Sequence, residues 1–408
     1  MVTITVRGSS GDYRIRPLEP GEERAAFEVL GRALHRTVTD EYWARREGSF
    51  PAERRFGAFA SGEPVGVTGS FATRLAVPGG KALPAAAVDG VAVRADHTRR
   101  GVLTALMAAQ LADCARRGDV LAVLHASEAT IYGRFGYGIA SRGQSLRVAG
   151  ASFRADAPSG GEVRLLGTAE AQELVPRLYA EMGLSRAGMI ERREVWWSYA
   201  RERLIGEHQV AVHSGPRGDD GFVLYRTEDL RTFDQPNLGA ALTVGDLHAA
   251  DTAAVAGLWR FLLRVDLVSE VRAPGRPLDD PLAAMLTDPR ACAVTGLDDE
   301  SWLRLVDVPA ALAAREWGPG EPVVVEVADP QLPANSGRYR ITPGGAEATT
   351  GAADLRTGPE TLAMLYLGDR PPSALAAAGR LEVLNPAALP HADTLFATRV
   401  TPWCGTPF

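Results

Sequence analysis

Residues 87–107 read AVDGVAVRADHTRRGVLTALM and contain three segments of different character. The first is a short, valine-rich apolar run, which favours a buried strand. A polar break follows, in which Thr98 is a candidate helix cap. From Arg100 to Met107 the apolar residues recur at helical spacing. The stretch therefore predicts a strand, a tight turn and a helix in direct succession.

The turn Arg99-Arg100-Gly101 has the features of an anion site. A helix begins with backbone N–H groups that lack intrahelical partners, and its dipole favours negative charge there. Gly101 lets a ligand approach the backbone closely, and the two arginines add positive charge. The pattern indicates a phosphate site. The alternative is an ordinary strand-to-helix connection with surface arginines.

Length, composition and charge limit the class of protein. A chain of 408 residues is too long for a single core and predicts two or three domains. Its 46% hydrophobic and 23% charged residues are typical of globular domains. The net charge of −6 argues against a nucleic-acid partner, because such proteins are normally basic.

The cysteines and the apolar runs predict a cytoplasmic protein. Cys114, Cys292 and Cys404 are too scattered for a metal site or a disulfide framework, so we expect no metal and a reducing compartment. The first residues lack the apolar segment of a secretory signal. No apolar run is long enough to cross a bilayer, and we expect no membrane partner.

Strands and helices alternate along the chain, which predicts an α/β (α+β) fold. In a first segment, residues 1–152, the predicted strands cover 13–16, 56–60, 64–77, 88–93, 121–126 and 139–148, and the predicted helices cover 20–35, 40–46 and 100–117. Aromatic residues and glycines are concentrated in 127–138 and indicate a shaped turn.

A second segment, residues 153–290, repeats the central step with one difference. A predicted strand over 241–249 leads into a predicted helix over 251–265, but the connection contains Asp251 and no Arg-Gly turn. Because an acidic cap repels phosphate, we interpret this segment as a degenerate copy that does not bind an anionic cofactor. Other predictions here are a hairpin from 208–213 and 221–227, a helix over 193–203 with Arg192 and Arg193 on a solvated face, and a connecting segment over 274–288.

A third segment, residues 291–408, is predicted to contain helices at 308–315, 359–367 and 372–378 and strands at 323–327 and 337–342. The chain ends FATRVTPWCGTPF. Frayed termini are normally polar, so this aromatic tail is expected to be buried.

Two motifs resemble a known family. Val91-Ala92-Val93 followed by Arg99-Arg100-Gly101-Val102-Leu103 resembles the acetyl-CoA-binding motif of the GCN5-related N-acetyltransferases (GNAT). LHASE at 124–128 with IYGRFGYG at 131–138 resembles, more narrowly, the enhanced intracellular survival (Eis) acetyltransferases of actinobacteria. The resemblance covers the whole chain. It implies a catalytic GNAT unit over 1–152, a degenerate GNAT-like unit over 153–290 and a unit similar to sterol carrier protein 2 over 291–408.

The resemblance also implies an activity. Members of the family transfer acetyl groups from acetyl-CoA to primary amines, often several per substrate, including aminoglycoside antibiotics and lysine side chains, and so confer antibiotic resistance. They are homohexamers built as dimers of trimers. The remaining alternative is a non-catalytic scaffold, in which the first unit senses CoA and the last binds a lipid.

Site residues follow from the same resemblance. The expected cofactor-binding residues are Val91, Ala92, Val93, Arg99, Arg100, Gly101, Val102, Leu103 and Ser127. Tyr132 matches the family's general acid, and the C-terminal carboxylate, here on Phe408, matches its general base.

Each catalytic residue also has a structural alternative. Tyr132 can be a packing aromatic, and the Phe408 tail can be merely docked. Ser127 can lie near the pantetheine without a direct role. For His125 a core position is favoured over a proton relay. Gly90 stands where the family can place an aromatic residue in the amine pocket, so the substrate range is the property that transfers least.

Overall fold

The structure is a computed structural model that describes residues 4–8, 11–230 and 239–408. These residues form two compact units. Within the described ranges, unit 1 contains the chain up to Ala140, then Ser301–Arg399 and Pro407–Phe408, and unit 2 contains Ser141–Glu300 and Val400–Thr406.

Strands and helices alternate along most of the described chain. The first are β1 (Ile4–Gly8), β2 (Gly11–Pro17), α1 (Glu23–Ala33), α2 (Asp40–Arg46), β3 (Arg55–Ala60), β4 (Glu63–Ala76), β5 (Ala82–Val93), α3 (Val102–Arg117), β6 (Leu121–Leu124), α4 (Ala129–Tyr132) and β7 (Gly138–Val148). Then follow β8 (Glu162–Leu166), α5 (Thr168–Met182), α6 (Glu194–Ala200), β9 (Gln209–Gly215), β10 (Gly218–Asp229), β11 (Ala240–Ala249), α7 (Thr252–Leu262), β12 (Val268–Pro277), α8 (Leu282–Met285) and β13 (Cys292–Leu305). The last are α9 (Val308–Ala314), β14 (Val323–Val327), β15 (Gly337–Thr342), β16 (Gly345–Ala348), β17 (Leu355–Thr357), α10 (Pro359–Tyr366), α11 (Pro372–Ala377), β18 (Glu382–Val383) and α12 (Leu389–Phe396).

The main sheet of unit 1 has the order β1-β2-β3-β4-β5-β6, with the end of β13 on the far side of β6. Strands β1 to β5 are antiparallel neighbours. Strand β6 is parallel to β5, and their register ends at Ala87 opposite Val123. Strand β6 ends at Leu124, whereas β5 continues to Val93. The edge of β5 beyond Ala87, next to the end of β6, is therefore not paired with β6, and we call this place the wedge.

Helices α3 and α1 cover this sheet with apolar side chains. The α3 residues Val102 and Leu106 pack in one cluster with Phe56, whereas Phe27 of α1 packs in another with Val67. Helix α2 lies at its predicted bounds. Helix α3 was predicted to begin at Arg100 and begins two residues later.

The carboxyl-terminal part of unit 1 contains a five-stranded sheet of order β16-β15-β14-β17-β18. Strands β14 and β15 have their predicted bounds. The sequence prediction missed β16, β17, β18 and α12. Strands of two to four residues carry too little periodicity to be recognised.

Unit 2 repeats the strand–helix–strand arrangement of unit 1. Its sheet joins β8 to β12 in the order β12-β11-β10-β9-β8, and β11 pairs in parallel with β12 after α7 has crossed between them. The hairpin of β9 and β10 is confirmed. The prediction of a connecting segment over 274–288 was wrong in part, because β12 extends to Pro277 and pairs with Gly143 of β7.

Candidate active site

The wedge between β5 and β6 is where the predicted cofactor-binding residues meet. Val93 and Ala92 pair with Gly66 and Val67 of β4, so β4 occupies one edge of β5. Beyond Ala87 the other edge of β5 is no longer paired with β6. The backbone groups of Val91 and its neighbours therefore border the wedge. Backbone groups on an unpaired strand edge can form hydrogen bonds with an extended ligand.

The start of α3 lies directly after this strand. Its N-cap is Gly101, whose φ of 81° lies in the left-handed region and which has no side chain to cap the helix. The N–H groups of Leu103 and Thr104 thus lack the usual side-chain acceptor, and the start of the helix suits an anion.

The predicted capping role of Thr98 was wrong. The Thr98 hydroxyl donates to the carbonyl oxygen of Ala95 at 3.0 Å and closes a short 3-10 turn that precedes α3. The chain then needs a left-handed residue at Arg99, with φ of 59°, before Gly101. No side chain caps the start of α3.

The two arginines of the turn have different surroundings. Arg100 is half-buried and donates from Nη1 to the hydroxyl oxygen of Tyr13 at 3.3 Å, and Tyr13 also contacts Nδ1 of His97 at 3.0 Å. Arg99 is exposed. Both positions leave positive charge beside the start of α3.

Tyr132 ends the short helix α4, which follows β6 and the polar residues Ser127 and Glu128. The predicted shaped turn over 127–138 is confirmed as this helix and a 3-10 turn that ends at Phe135. Tyr132 is 5% exposed. Burial and the nearby Glu128 carboxylate raise the pKa of the phenol, whereas a hydrogen bond with Ser127 lowers it. Tyr132 is therefore protonated at neutral pH.

Phe408 lies at the carboxyl end of β6, the strand that leads to Tyr132. Its ring is 4.6 Å from the ring of His125 and 5.7 Å from that of Phe71, edge-to-face in both cases. His125 is half-buried and contacts the chain terminus, so the core position favoured for it was wrong. Phe408 itself is half-buried.

Burial of the tail is confirmed for Phe396 and for most of 402–406, and is wrong for Ala397, Arg399, Val400 and Pro407, which are exposed. Trp403, Cys404 and Thr406 are 7%, 0% and 1% exposed. In unit 2 the Glu300 carboxylate accepts from the backbone N–H groups of Cys404 and Gly405 at 2.9 and 2.8 Å. The tail is thus anchored through its backbone.

Arg192 was predicted on a solvated face, and this was wrong. Its side chain is fully buried and pairs with Asp246 at 2.6 Å. It also donates to Thr406 Oγ1 at 3.0 Å and to the Gly405 carbonyl oxygen at 2.8 Å. The neighbouring Arg193 is exposed. A local charge pattern cannot reveal a partner that is 54 residues away in the sequence.

Near the wedge, Asp89 forms an ion pair with Arg55. Both of its oxygens accept from the guanidinium of Arg55 at 3.0 Å, and Arg55 stacks on Phe50 at 3.6 Å. The next residue, Gly90, has φ of 61°, and a Cβ there would lie 3.1 Å from Arg55 Nη1. Both the backbone and the arginine disfavour an aromatic side chain at this position.

At the corresponding start of α7 in unit 2, a side chain of the protein caps the helix. The Asp251 carboxylate accepts from the N–H of Ala254 at 2.9 Å, as the predicted cap requires. Arg276 of β12 donates to the Leu247 carbonyl oxygen of β11 at 3.0 Å, in the gap that corresponds to the wedge of unit 1.

Two further findings concern the described residues alone. No helix in the ranges 4–8, 11–230 and 239–408 is both long and apolar enough to span a membrane. The same part of the chain contains no cluster of three or more His, Cys, Asp or Glu side chains that could hold a metal ion.

Comparison with known proteins finds three domain matches along the chain. Models of an acetyltransferase (GNAT) domain match residues 14–140 and, separately, 188–305, and a sterol carrier protein domain matches 308–405. The predicted architecture of two GNAT-like units and a sterol-carrier-like unit is confirmed.

Full-length relatives define the family. An uncharacterized N-acetyltransferase of Streptomyces coelicolor is 38% identical over 94% of this chain and 92% of its own. The N-acetyltransferase Eis of Mycobacterium bovis is 37% identical over 85% of this chain and 86% of its own. The crystal structure of Eis1 from Mycobacterium abscessus is 36% identical, covers 97% of this chain and 100% of that chain, and has a TM-score of 0.88. The chain therefore belongs to the Eis family of GNAT N-acetyltransferases.

Proposed function

We propose that this N-acetyltransferase transfers acetyl groups from acetyl-CoA to several primary amines of one acceptor, with aminoglycosides and lysine side chains as the acceptor classes. The observation that carries the proposal is the contact of the Phe408 ring with His125, 4.6 Å apart, at the end of the strand that leads to Tyr132. This contact supports the proposal, because the terminal residue packs against His125 directly after β6 and the buried Tyr132 follows the same strand.

The residues of the wedge fit acetyl-CoA. Its pyrophosphate would lie at the start of α3, with Arg99 and Arg100 nearby and the N–H groups of Gly101, Val102 and Leu103 as donors. Its pantetheine would lie along Val91, Ala92 and Val93, with Ser127 beyond the end of β6. Bound acetyl-CoA supplies the thioester that an amine attacks.

Tyr132 is suited to be the proton donor. A departing thiolate has a reference pKa of about 8.5 and a phenol one of about 10, so transfer requires a site that favours it. Burial keeps Tyr132 protonated until the leaving group forms. The contribution of Ser127 lowers the pKa of the phenol and partly offsets the effect of burial.

The Phe408 carboxylate is suited to attract a cationic amine and then to accept its proton. A chain-terminal carboxylate has a reference pKa of about 3.3–3.7 and is a weak base in water, so we propose that it first attracts and orients the cationic amine. Asp89 cannot take this role while it is paired with Arg55.

The remaining features of the proposal concern the whole protein. We propose a cytoplasmic homohexamer, a dimer of trimers, with the three modules divided at 1–152, 153–290 and 291–408. Unit 2 does not bind acetyl-CoA, because Asp251 and Arg276 occupy the groups that a ligand would need. Neither a metal nor a nucleic-acid partner is part of the proposal.

The test is thiol release from acetyl-CoA in the presence of kanamycin or neomycin, followed by the mass of the product. We expect turnover and products that carry more than one acetyl group. A lysine-containing peptide tests the second acceptor class. Absence of thiol release with every amine, together with tight CoA binding, would favour the scaffold alternative.

A further inference from the structure

The turn that follows Tyr132 is bonded by residues far away in the sequence. Arg304 Nε donates to the carbonyl oxygen of Phe135 at 3.1 Å, and Gln331 Nε2 donates to that of Arg134 at 3.1 Å. Both acceptors lie within three residues of Tyr132, and all of these residues belong to unit 1. The backbone next to the proposed proton donor is therefore held by Arg304 and Gln331, which are distant in the sequence.

Arg304 is itself fixed in place. Its side chain and that of Asp329 are both 0% exposed, and Nη2 lies 2.8 and 2.7 Å from the two carboxylate oxygens. Asp329 also accepts from Asn335 Nδ2 at 3.0 Å and from the N–H of Leu332 at 3.0 Å. A buried ion pair is weak evidence for stability, because desolvation offsets the attraction. A fully hydrogen-bonded pair does, however, permit only one orientation of the guanidinium.

Glycines let the turn approach these residues. Gly136 has φ of 78°, and a Cβ there would lie 2.7 Å from Arg304 Nε and 2.8 Å from Pro359. A Cβ at Gly138 would lie 2.2 Å from the carbonyl oxygen of Glu360. The glycines that mark this turn in the sequence are thus explained by its packing against Arg304 and the start of α10.

Apolar contacts continue the same junction. Leu332, three residues after Asp329, packs against the cluster that contains Tyr132, Phe135 and Tyr137. The segment around Asp329 therefore contacts the turn directly through the Gln331 amide and the Leu332 side chain, and indirectly through Arg304, which pairs with Asp329.

We propose that Arg304, oriented by Asp329, is a positioning residue for Tyr132, and that the sterol-carrier-like module holds the proton donor in place through it. The proposal rests on the assignment of Tyr132 as proton donor. In this proposal the module contributes to catalysis by positioning Tyr132, and it needs no lipid ligand to do so.

The test is a double-mutant cycle in the full-length protein. Arg304→Lys keeps the charge but loses the Nε donor and the planar fork. We expect kcat to fall about 10-fold or more, as for a displaced catalytic group, and KM for acetyl-CoA to change less than about twofold. In the Tyr132→Phe background the same substitution should change kcat less than about twofold, because residues that act through one group are not additive.

Arg315→Lys is the matched control. Arg315 is 2% exposed, and its guanidinium donates to carbonyl oxygens of Tyr366, Leu395 and Phe396, away from the Tyr132 turn. Arg315→Lys should lower thermal stability. Any change that it causes in kcat should be the same in the wild-type and Tyr132→Phe backgrounds. If Arg304→Lys does not fold, Gln331→Ala tests the same idea at an exposed residue, with an expected fall in kcat of about two- to threefold that disappears in Tyr132→Phe.

The outcomes separate the two proposals. Equal losses from Arg304→Lys, or from Gln331→Ala, in both backgrounds would overturn the positioning role alone. Full activity of Tyr132→Phe would overturn the assignment of the proton donor, and the positioning role with it.

Discussion

At the scale of single residues, Tyr132 and Tyr137 form a natural matched pair. Their rings are 6.2 Å apart, and both are buried. Tyr132→Phe should lower kcat about 10²- to 10⁴-fold with little change in KM for acetyl-CoA, because it removes the proposed proton donor.

Tyr137→Phe is the control for that substitution. The Tyr137 hydroxyl is buried, and the described residues offer it no hydrogen-bond partner, so its removal should leave kcat unchanged and thermal stability equal or higher. Equal losses in both variants, measured as thiol release, would mean that packing and not proton transfer explains the effect.

Glu128 tunes the same phenol. Burial is the larger cause of the raised pKa of Tyr132, and the Glu128 carboxylate adds to it. Glu128→Gln removes the negative charge, so the tyrosine should ionise at a lower pH and the alkaline fall in kcat should move to lower pH. The pH–rate profiles of the two proteins, with one amine acceptor, check the direction. An alkaline limb that stays in place or moves to higher pH would contradict it.

At the scale of elements, helix α3 has a left-handed glycine at each end. Gly101 has φ of 81° and Gly118 φ of 79°. Alanine at either position should cost about 1 kcal/mol of unfolding free energy. Gly101→Ala alone should also weaken acetyl-CoA binding, because the proposed pyrophosphate site is at that end of the helix.

Isothermal calorimetry and thermal unfolding of both variants separate these effects. A Cβ at Gly118 has no heavy atom within 4 Å, so that variant carries the backbone strain alone. Similar losses of acetyl-CoA affinity in both variants would show that the start of α3 is not the pyrophosphate site.

The sequence predicted the elements with strong local patterns. Helix α2, strands β14 and β15 and the Asp251 cap were all found, since periodicity and capping chemistry are local properties. The start of α3 was placed two residues too early because Arg99 adopts a left-handed conformation that a non-glycine residue rarely takes.

The misses depend on tertiary contacts. Nothing local distinguishes the buried Arg192 from the exposed Arg193, because Asp246 and the tail supply the partners. A catalytic role for the Phe408 carboxylate was expected only from the family resemblance, and the contact of Phe408 with His125 was not predicted. The Arg304–Asp329 pair had no signal in the sequence, since both residues are of types that are usually exposed.

At the scale of the whole molecule, the proposed hexamer can be tested by the mass of the protein in solution. Light scattering on the purified protein should give six times the chain mass of 43.4 kDa, with little dependence on concentration. A monomer or dimer that remains fully active would remove the hexamer from the proposal and leave the catalytic assignment unaffected.

The chain terminus offers the most direct test of the catalytic account. A single glycine added after Phe408 moves the terminal carboxylate by one residue, about 3.3–3.6 Å, and leaves a neutral peptide bond in its place. The control is a glycine added at the amino terminus. We predict that kcat for thiol release with kanamycin falls about 100-fold or more, as for a displaced catalytic group, while thermal unfolding and acetyl-CoA binding stay unchanged. Full activity of the extended protein would contradict the account.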